Sequence, residues 1–301
     1  MNSFTILVDT NCDLPQDYYV ENELKTIPIP FNLDGTQHSG GSWQEISDKD
    51  FYNALRNGGV AGTALINPDS YFQVFQEYAL RGEPLLVLTL SSGLSGTYQN
   101  SVIALDDIRV KYPESDVHVV DCSTAAGGAG LVTMLAVKKR GEGLSAAETA
   151  AWLETKKNSC LSLFTVNDLM YLHRGGRLSK LSAIAGSIIG VKPLLNVAPD
   201  GTLKLKDKAR GRAAALKQLV SQMVRSIEQG AKLETVIISH TDCLEDAETL
   251  ANLVRLEVNV REIIIVMMGP VIGAHVGPGT VALFFEAAMT RNEYEAKFYG
   301  K

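Results

Sequence analysis

An apolar run that ends in a turn of small polar residues constrains the fold of this chain more than any other stretch. Residues 85–90 are apolar apart from Thr89, a length typical of one buried strand and too short for most helices. The sequence Ser91-Ser92-Gly93-Leu94-Ser95-Gly96 follows, and after Thr97 the apolar spacing is that of an amphipathic helix. The pattern therefore predicts a strand, a turn and a helix in direct succession.

The serine-rich turn is also a candidate binding site. In an open α/β sheet, ligands bind at the carboxyl ends of the strands. The free N–H groups and the positive dipole end of the following helix attract an anion, and the hydroxyls of Ser91, Ser92 and Ser95 add donors. The alternative is ordinary helix capping, which needs only one hydroxyl. Three serines in one turn favour an anion site.

The first half of the chain repeats this alternation of strand and helix. Residues 4–8 and 117–121 are apolar, and each run ends in a polar or glycine-rich turn. Residues 26–33 suggest an edge strand or an extended segment because they contain Pro28 and Pro30, and residues 58–68 suggest an extended loop. We therefore predict an N-terminal α/β/α domain over residues 1–158 with a mainly parallel sheet.

The second half has a different pattern. Pro199-Asp200-Gly201 separates two strand-like segments, which is typical of a hairpin, and a long amphipathic helix is predicted from Arg210 to Glu228. Residues 181–189 form an apolar stretch of Ala, Gly and Ile that predicts a helix buried in the core or lining a cavity. We predict a C-terminal α+β domain over residues 159–301 with a mainly antiparallel sheet, and a ligand bound between the two domains.

Composition excludes several classes of function. The net charge of −6 argues against nucleic acid as the main partner, and no run approaches the ~20 apolar residues that span a bilayer. The four cysteines are far apart and the histidines lack metal-ligand spacing, so we expect no disulfide framework, no metal and a reducing cytoplasm. Phosphate-loop and dinucleotide fingerprints are missing, which leaves nucleotide binding poorly supported.

Seven motifs, in this order, resemble the DegV family of fatty-acid-binding proteins. Together they span nearly the whole chain: Asp9-Thr10-x-Cys12-Asp13-Leu14-Pro15; Thr63 in its loop; Ser91-Ser92-Gly93-Leu94-Ser95-Gly96-Thr97-Tyr98-Gln99; Tyr171-Leu172-x-x-Gly175-Gly176-Arg177; Val191-Lys192-Pro193-Leu194-Leu195 with Asp200-Gly201; Lys208-x-Arg210-Gly211; and Gly273-x-His275-x-Gly277-Pro278-Gly279. The sequence departs from the family pattern at residues 64–67 and after Gly279, where Val281, Leu283, Phe284 and Phe285 stand in place of expected glycines.

The resemblance implies a carrier rather than an enzyme. In that family an acyl chain lies in an apolar tunnel, and its carboxylate meets Thr and Ser hydroxyls at the domain junction. Bacterial members present the fatty acid to a separate ATP-dependent fatty acid kinase, which makes acyl-phosphate for phospholipid synthesis. The resemblance implies no cofactor besides the bound fatty acid.

The motifs and the apolar stretch at residues 181–189 provide candidate residues for ligand binding, for the kinase partner and for the tunnel wall. The ligand-binding candidates are Thr63, Ser91, Ser92, Ser95 and His275. Arg210 is assigned to the kinase partner and to phosphoryl transfer together with His275, because a cation that opens a helix is electrostatically misplaced without such a role. The tunnel-wall candidates are Ile184, Ile188 and Ile189.

Two other classes of function remain open on the sequence. Ser92 or Ser95 could act with His275 as nucleophile and base in an acyl hydrolase or acyltransferase. The turn lacks the full G-x-S-x-G spacing of a nucleophile elbow, and no Asp is placed by sequence to orient His275. A lipid sensor that binds fatty acid without a kinase partner is the third class.

Overall fold

A computed structural model describes residues 4–40, 46–178 and 190–300. The strands are β1 Thr5–Asp9, β2 Lys25–Ile27, β3 Phe31–Leu33, β4 Thr36–His38, β5 Ala61–Thr63, β6 Leu85–Thr89, β7 Val117–Asp121, β8 Cys160–Thr165, β9 Val191–Val197, β10 Leu203–Arg210, β11 Lys232–His240, β12 Asn259–Met267 and β13 Val281–Glu286. The helices are α1 Gln16–Glu21, α2 Asp48–Arg56, α3 Pro68–Arg81, α4 Thr97–Lys111, α5 Gly127–Gly141, α6 Ala146–Lys156, α7 Met170–Arg174, α8 Arg212–Val224, α9 Leu244–Glu257, α10 Pro270–Val276 and α11 Arg291–Tyr299, with a 3-10 turn at Lys157–Ser159.

The N-terminal sheet has the predicted parallel arrangement. Its strand order is β2-β1-β6-β7, and all three pairings are parallel. β6 is buried along its whole length, which explains why its sequence is continuously apolar. The helix predicted after Thr97 begins at that residue as α4. The serine-rich turn therefore lies at the carboxyl end of a central strand.

The C-terminal sheet is mainly antiparallel, as predicted. Its order is β10-β9-β8-β13-β11-β12, and only β11 and β12 pair in parallel. The β9–β10 hairpin turns at Asp200-Gly201, where Gly201 has φ 73°, a value that glycine adopts without strain. All strands of this sheet follow residue 159, but the division into domains at residues 158 and 159 stays a prediction.

A third, small sheet was not predicted. The edge strand or extended segment expected over residues 26–33 is two strands: β2 lies at the edge of the parallel sheet, while β3 pairs with both β4 and β5. Pro28 and Pro30 separate the two strands because proline provides no N–H for a continuous ladder. The loop expected over residues 58–68 contains β5, which ends at Thr63 opposite Phe31.

Arg210 does not open a helix, so that prediction is wrong. It is the last residue of β10 and pairs with Val191, and α8 begins two residues later at Arg212. Gly211 has φ 84°, which ends the strand and lets the chain turn into the helix. Instead, Arg212 is the cation at the helix start, and its Nε donates to Asp246 at 2.9 Å.

Glycines at the start of α5 let this helix pack between the two large sheets. A Cβ on Gly127 would lie 2.6 Å from Ile237 Cγ2 and 2.8 Å from Phe284 Cδ2, both on the C-terminal sheet. On the other side, a Cβ on Gly130 would lie 3.0 Å from the carbonyl oxygen of Asp13. One core cluster accordingly contains residues of both sheets and of α5.

We expect Gly127→Ala to destabilise the protein by about 1–3 kcal/mol, because the added methyl group overpacks this contact. Gly141→Ala, at the other end of α5, is the matched control. A Cβ there meets no atom within 4 Å, so the higher helix propensity of alanine should leave stability equal or raise it by up to about 1 kcal/mol. Urea unfolding of both variants measures the difference, and equal effects would contradict the packing role.

Candidate functional site

A cavity lies between the carboxyl end of the parallel sheet and the inner face of the antiparallel sheet. It encloses about 750 Å³ between protein atoms, part of it open to solvent at the mouth. Its apolar lining comes from both halves of the chain: Ile29, Ala64, Leu90, Leu94, Ala125, Ala126, Phe164, Leu172, Val197, Leu203, Met268, Val271, Ile272, Val276, Ala282 and Phe284. Such a lining is typical of a small-molecule site with a large apolar part.

Thr63 and His275 form a hydrogen-bonded pair in the wall of this cavity. Thr63 ends β5, and His275 lies in the last turn of α10, a helix that the sequence motif alone did not predict. Thr63 Oγ1 and His275 Nε2 are 2.8 Å apart. Two of the five predicted ligand-binding residues, 212 positions apart in the chain, are thus brought together.

His275 is neutral at physiological pH. Burial, together with the nearby Arg177 guanidinium as a smaller cause, lowers the pKa of its imidazole to about 4. Nδ1 is buried without a hydrogen-bond partner and lies against Gly175, where a Cβ would be 2.5 Å away. Burying a ring nitrogen without a partner costs less free energy when it carries a lone pair than when it carries a proton. The preferred tautomer therefore has its proton on Nε2, which donates to Thr63.

Arg177 is a functional candidate that was not among the predicted site residues. Its side chain lines the cavity, Nε donates to the carbonyl oxygen of Leu94 at 3.0 Å, and Nη1 donates to that of Gly175. Two carbonyl partners orient the guanidinium without neutralising it. The signal in the sequence was the Gly175-Gly176-Arg177 motif, whose arginine is equally compatible with a structural role.

The three serines of the turn have different surroundings. Ser95 lines the cavity, and its Oγ accepts from the backbone N–H of Thr97 at 3.3 Å. Ser91 is fully buried and its hydroxyl donates to the carbonyl oxygen of Gly201 at 2.9 Å. The Ser92 hydroxyl donates to Asp121 Oδ2 at 2.6 Å. Neither Ser91 nor Ser92 belongs to the cavity lining.

Two further predictions do not concern residues of the observed cavity lining. Arg210 is exposed at the end of β10 and is not part of the cavity lining. The tunnel-wall candidates Ile184, Ile188 and Ile189 lie outside the described residues, so their role stays a prediction.

The geometry does not assemble the hydrolase arrangement considered from the sequence. The Ser92 hydroxyl donates to Asp121, and the Ser95 hydroxyl is hydrogen-bonded to Thr97 Oγ1 at 3.0 Å. The Nε2 atom of His275 is paired with Thr63 and with neither serine. Among residues 4–40, 46–178 and 190–300, no carboxylate reaches the unpartnered Nδ1 of His275, and no group of three acidic, His or Cys side chains could hold a metal ion. In the same ranges, no helix has both the length and the apolar character needed to cross a membrane.

The buried imidazole predicts a pH dependence of stability. His275 has a pKa of about 4 when folded against about 6.5 when unfolded, so below pH 6.5 the unfolded state binds the proton first. Stability is therefore lost as the pH falls from 6.5 to 4, by roughly 2 kcal/mol between pH 7 and 4.5. Urea unfolding of the wild type and of His275→Gln isolates this contribution, since all other groups are shared. An equal pH dependence in both proteins would contradict it.

A cavity with apolar walls and a few polar groups is the kind of site that suits an amphiphilic small molecule. A family model described as an uncharacterised protein of the DegV family matches residues 3–288. A DegV domain-containing protein of Clostridium perfringens is 38% identical over 285 residues, covering 95% of this chain and 98% of that relative. The chain belongs to the DegV family.

Solved structures of related proteins share the fold over nearly the whole chain. A Thermotoga maritima protein, described as revealing a fatty acid binding function, is 29% identical with a TM-score of 0.83, covering 95% of this chain and 100% of its own. A Thermus thermophilus DegV family protein, described by its fatty acid binding, is 26% identical with a TM-score of 0.84, covering 95% of this chain and 99% of its own.

Proposed function

We propose that this protein binds a long-chain fatty acid, with the acyl chain in the apolar cavity and the carboxylate at Thr63, Ser95 and His275. The observation that carries the proposal is the Thr63–His275 pair in the wall of an otherwise apolar cavity, in a chain whose relatives from Thermotoga and Thermus bind fatty acids. A fatty acid has the same distribution of polarity as this cavity.

The tautomer of His275 decides that the Thr63 hydroxyl is the donor to the ligand carboxylate. With Nε2–H donating to Thr63 Oγ1, the threonine hydroxyl is free to donate to a ligand oxygen. Ser95 adds a second hydroxyl, and Arg177 supplies the positive charge that the neutral His275 lacks. Each hydrogen bond to a charged group contributes about 1.5–3 kcal/mol.

The acyl chain supplies most of the affinity. Each buried methylene contributes about 0.8 kcal/mol, so a long tail as a whole contributes more than the polar contacts together. The polar groups therefore orient the ligand, and the shape of the apolar cavity selects it. Its occupant is expected to be a fatty acid with a long tail.

Denaturing mass spectrometry of an organic extract from the purified protein tests this proposal. We expect a co-purified fatty acid at close to one molecule per chain. The same fatty acid should displace a fluorescent fatty acid from the delipidated protein. Delipidated protein that binds no fatty acid in the titration would overturn the proposal. Hydrolysis of acyl thioesters at an enzymatic rate would instead favour the acyl hydrolase.

We further propose that the protein presents its fatty acid to an ATP-dependent fatty acid kinase in the cytoplasm, for phospholipid synthesis. The support is the family resemblance together with Arg210, an exposed cation at the end of the edge strand β10, outside the lipid cavity. An exposed cation there suits a partner's acidic surface or the phosphoryl group in transfer. Four free cysteines accord with a reducing compartment.

We expect Arg210→Ala to retain bound fatty acid but to lose acyl-phosphate formation by at least about tenfold when kinase and ATP are added. Lys217→Ala, which removes another charge of the C-terminal half, is the control and should leave the rate unchanged. Acyl-phosphate is measured by trapping with hydroxylamine. A wild-type rate for Arg210→Ala would remove this residue from the partner surface.

A further inference from the structure

A second cavity lies beside the end of β1 and the start of α10, and none of the residues proposed to hold the fatty acid carboxylate lines it. It encloses about 650 Å³ between protein atoms, part of it open to solvent. Asp13 and Asp48 line it together with Tyr19, Phe31, Ile46 and Val271. Val271 also lines the first cavity, so the two cavities are neighbours on α10.

Asp13 is a buried carboxyl with an unsatisfied oxygen. Its side chain is 2% exposed. Oδ1 accepts from the backbone N–H of Gly269 at 3.2 Å, while Oδ2 has no hydrogen-bond partner. An unpaired buried carboxylate is expensive, and native proteins normally satisfy such an oxygen with a donor. The group lacks a partner of opposite charge.

Asp48 brings a second carboxyl to the same cavity. It is the first residue of α2 and half-buried, and burial raises its pKa to about 6. Burial raises the pKa of Asp13 well above its ordinary value, and repulsion from Asp48 raises it further. Within the three described ranges, no lysine, arginine or histidine forms an ion pair with either carboxyl. Both groups therefore lack the cation that would stabilise their ionised forms.

We propose that this cavity binds a small organic ammonium ion, whose charge is met by Asp13 and Asp48 and whose carbon groups pack against Tyr19 and Phe31. Tyr19 and Phe31 line the cavity, and one face of Phe31 stacks on the His38 ring. The remaining aromatic surface suits an alkylated ammonium, since cations bind aromatic faces favourably once they are desolvated. A hydrated divalent cation fits less well, because the described residues offer two carboxyls here and mostly apolar walls.

Calorimetric titration of protein saturated with palmitic acid tests the proposal, because the lipid keeps probes out of the first cavity. The probes are propylammonium and choline chlorides, with 1-propanol as the neutral match and sodium chloride at equal ionic strength as the blank. We expect saturable binding of at least one ammonium ion and none of propanol. Asp48→Asn should weaken that binding at least tenfold, as should Asp13→Asn if it folds.

Asp50→Asn is the control variant, since Asp50 lies in the same first turn of α2 but is exposed and outside the cavity. It should bind the ammonium ion with wild-type affinity. Absence of saturable binding for both ammonium ions, equal affinity in Asp48→Asn and wild type, or stronger binding of magnesium chloride than of either ammonium ion would overturn the proposal.

Discussion

Ala282→Phe is expected to weaken the binding of fatty acids of sixteen or more carbons by at least about 100-fold. Ala282 is buried on β13 and lines the lipid cavity beside Phe164, its partner on β8. A phenyl ring there takes the volume of about four methylenes, whose burial contributes about 3 kcal/mol. The affinity for fatty acids that are four carbons shorter should fall much less. The measurement is competition by acids of graded length against a fluorescent fatty acid.

Two controls separate loss of cavity volume from loss of folding. Val110→Phe adds a similar ring on the exposed side of α4, where Val110 is 85% exposed, and should bind every acid as the wild type does. Thermal unfolding of Ala282→Phe should remain cooperative, because the ring enters existing space rather than a filled core. A uniform loss for all chain lengths would show that residue 282 does not limit the space for the tail.

The sequence predicts elements well where their signals are local. The sequence pattern predicts helices over residues 48–56 and 244–257 and a strand over residues 281–286, and α2, α9 and β13 have these bounds. α2 begins after Ser47, whose hydroxyl accepts from the N–H of Asp50 as an N-cap should. The spacing Ser145-x-x-Glu148 predicts a capping box, and α6 begins with it. Both sheet types follow from how strands are connected along the chain.

Contacts between distant short segments were not predictable. β3, β4 and β5 have three residues each, too few to show a periodic pattern, and their pairing depends on tertiary packing. α11 was missed although Thr290 and Glu293 form a capping box. The fully buried Arg291 that follows Thr290 donates to backbone carbonyls, including that of Cys160, a contact that its charge does not suggest.

The site shows the same limit at the level of single side chains. The residues after Gly279 that depart from the family pattern lie on alternate faces of β13. Phe284 therefore lines the cavity between the two large sheets, while Leu283 and Phe285 belong to the core on the other face. Three serines within five residues predict a polar turn, but they do not predict which hydroxyl forms a hydrogen bond inside the protein and which lies in the cavity wall. That depends on Gly201 and Asp121, which lie 110 and 29 residues away.

The serine geometry leads to the second large expected effect. The double variant Thr63→Val with Ser95→Ala should bind fatty acid on the order of 100-fold more weakly, because two hydrogen bonds to a charged group are lost at about 1.5–3 kcal/mol each. Both hydroxyls lie in the cavity wall. Binding of the matching fatty alcohol, which carries no charge, should fall much less.

Ser92→Ala is the matched control, since it removes a hydroxyl from the same turn but outside the cavity. The hydroxyl of Ser92 donates to Asp121, whose Oδ1 also accepts the N–H groups of Ser92 and Ser123, so this variant tests the stability of the turn. Its fatty acid affinity should stay within about threefold of the wild type, the range of an indirect effect below about 0.7 kcal/mol. If Ser92→Ala weakened binding as much as the double variant, the carboxylate would have to lie on the Asp121 side of the turn.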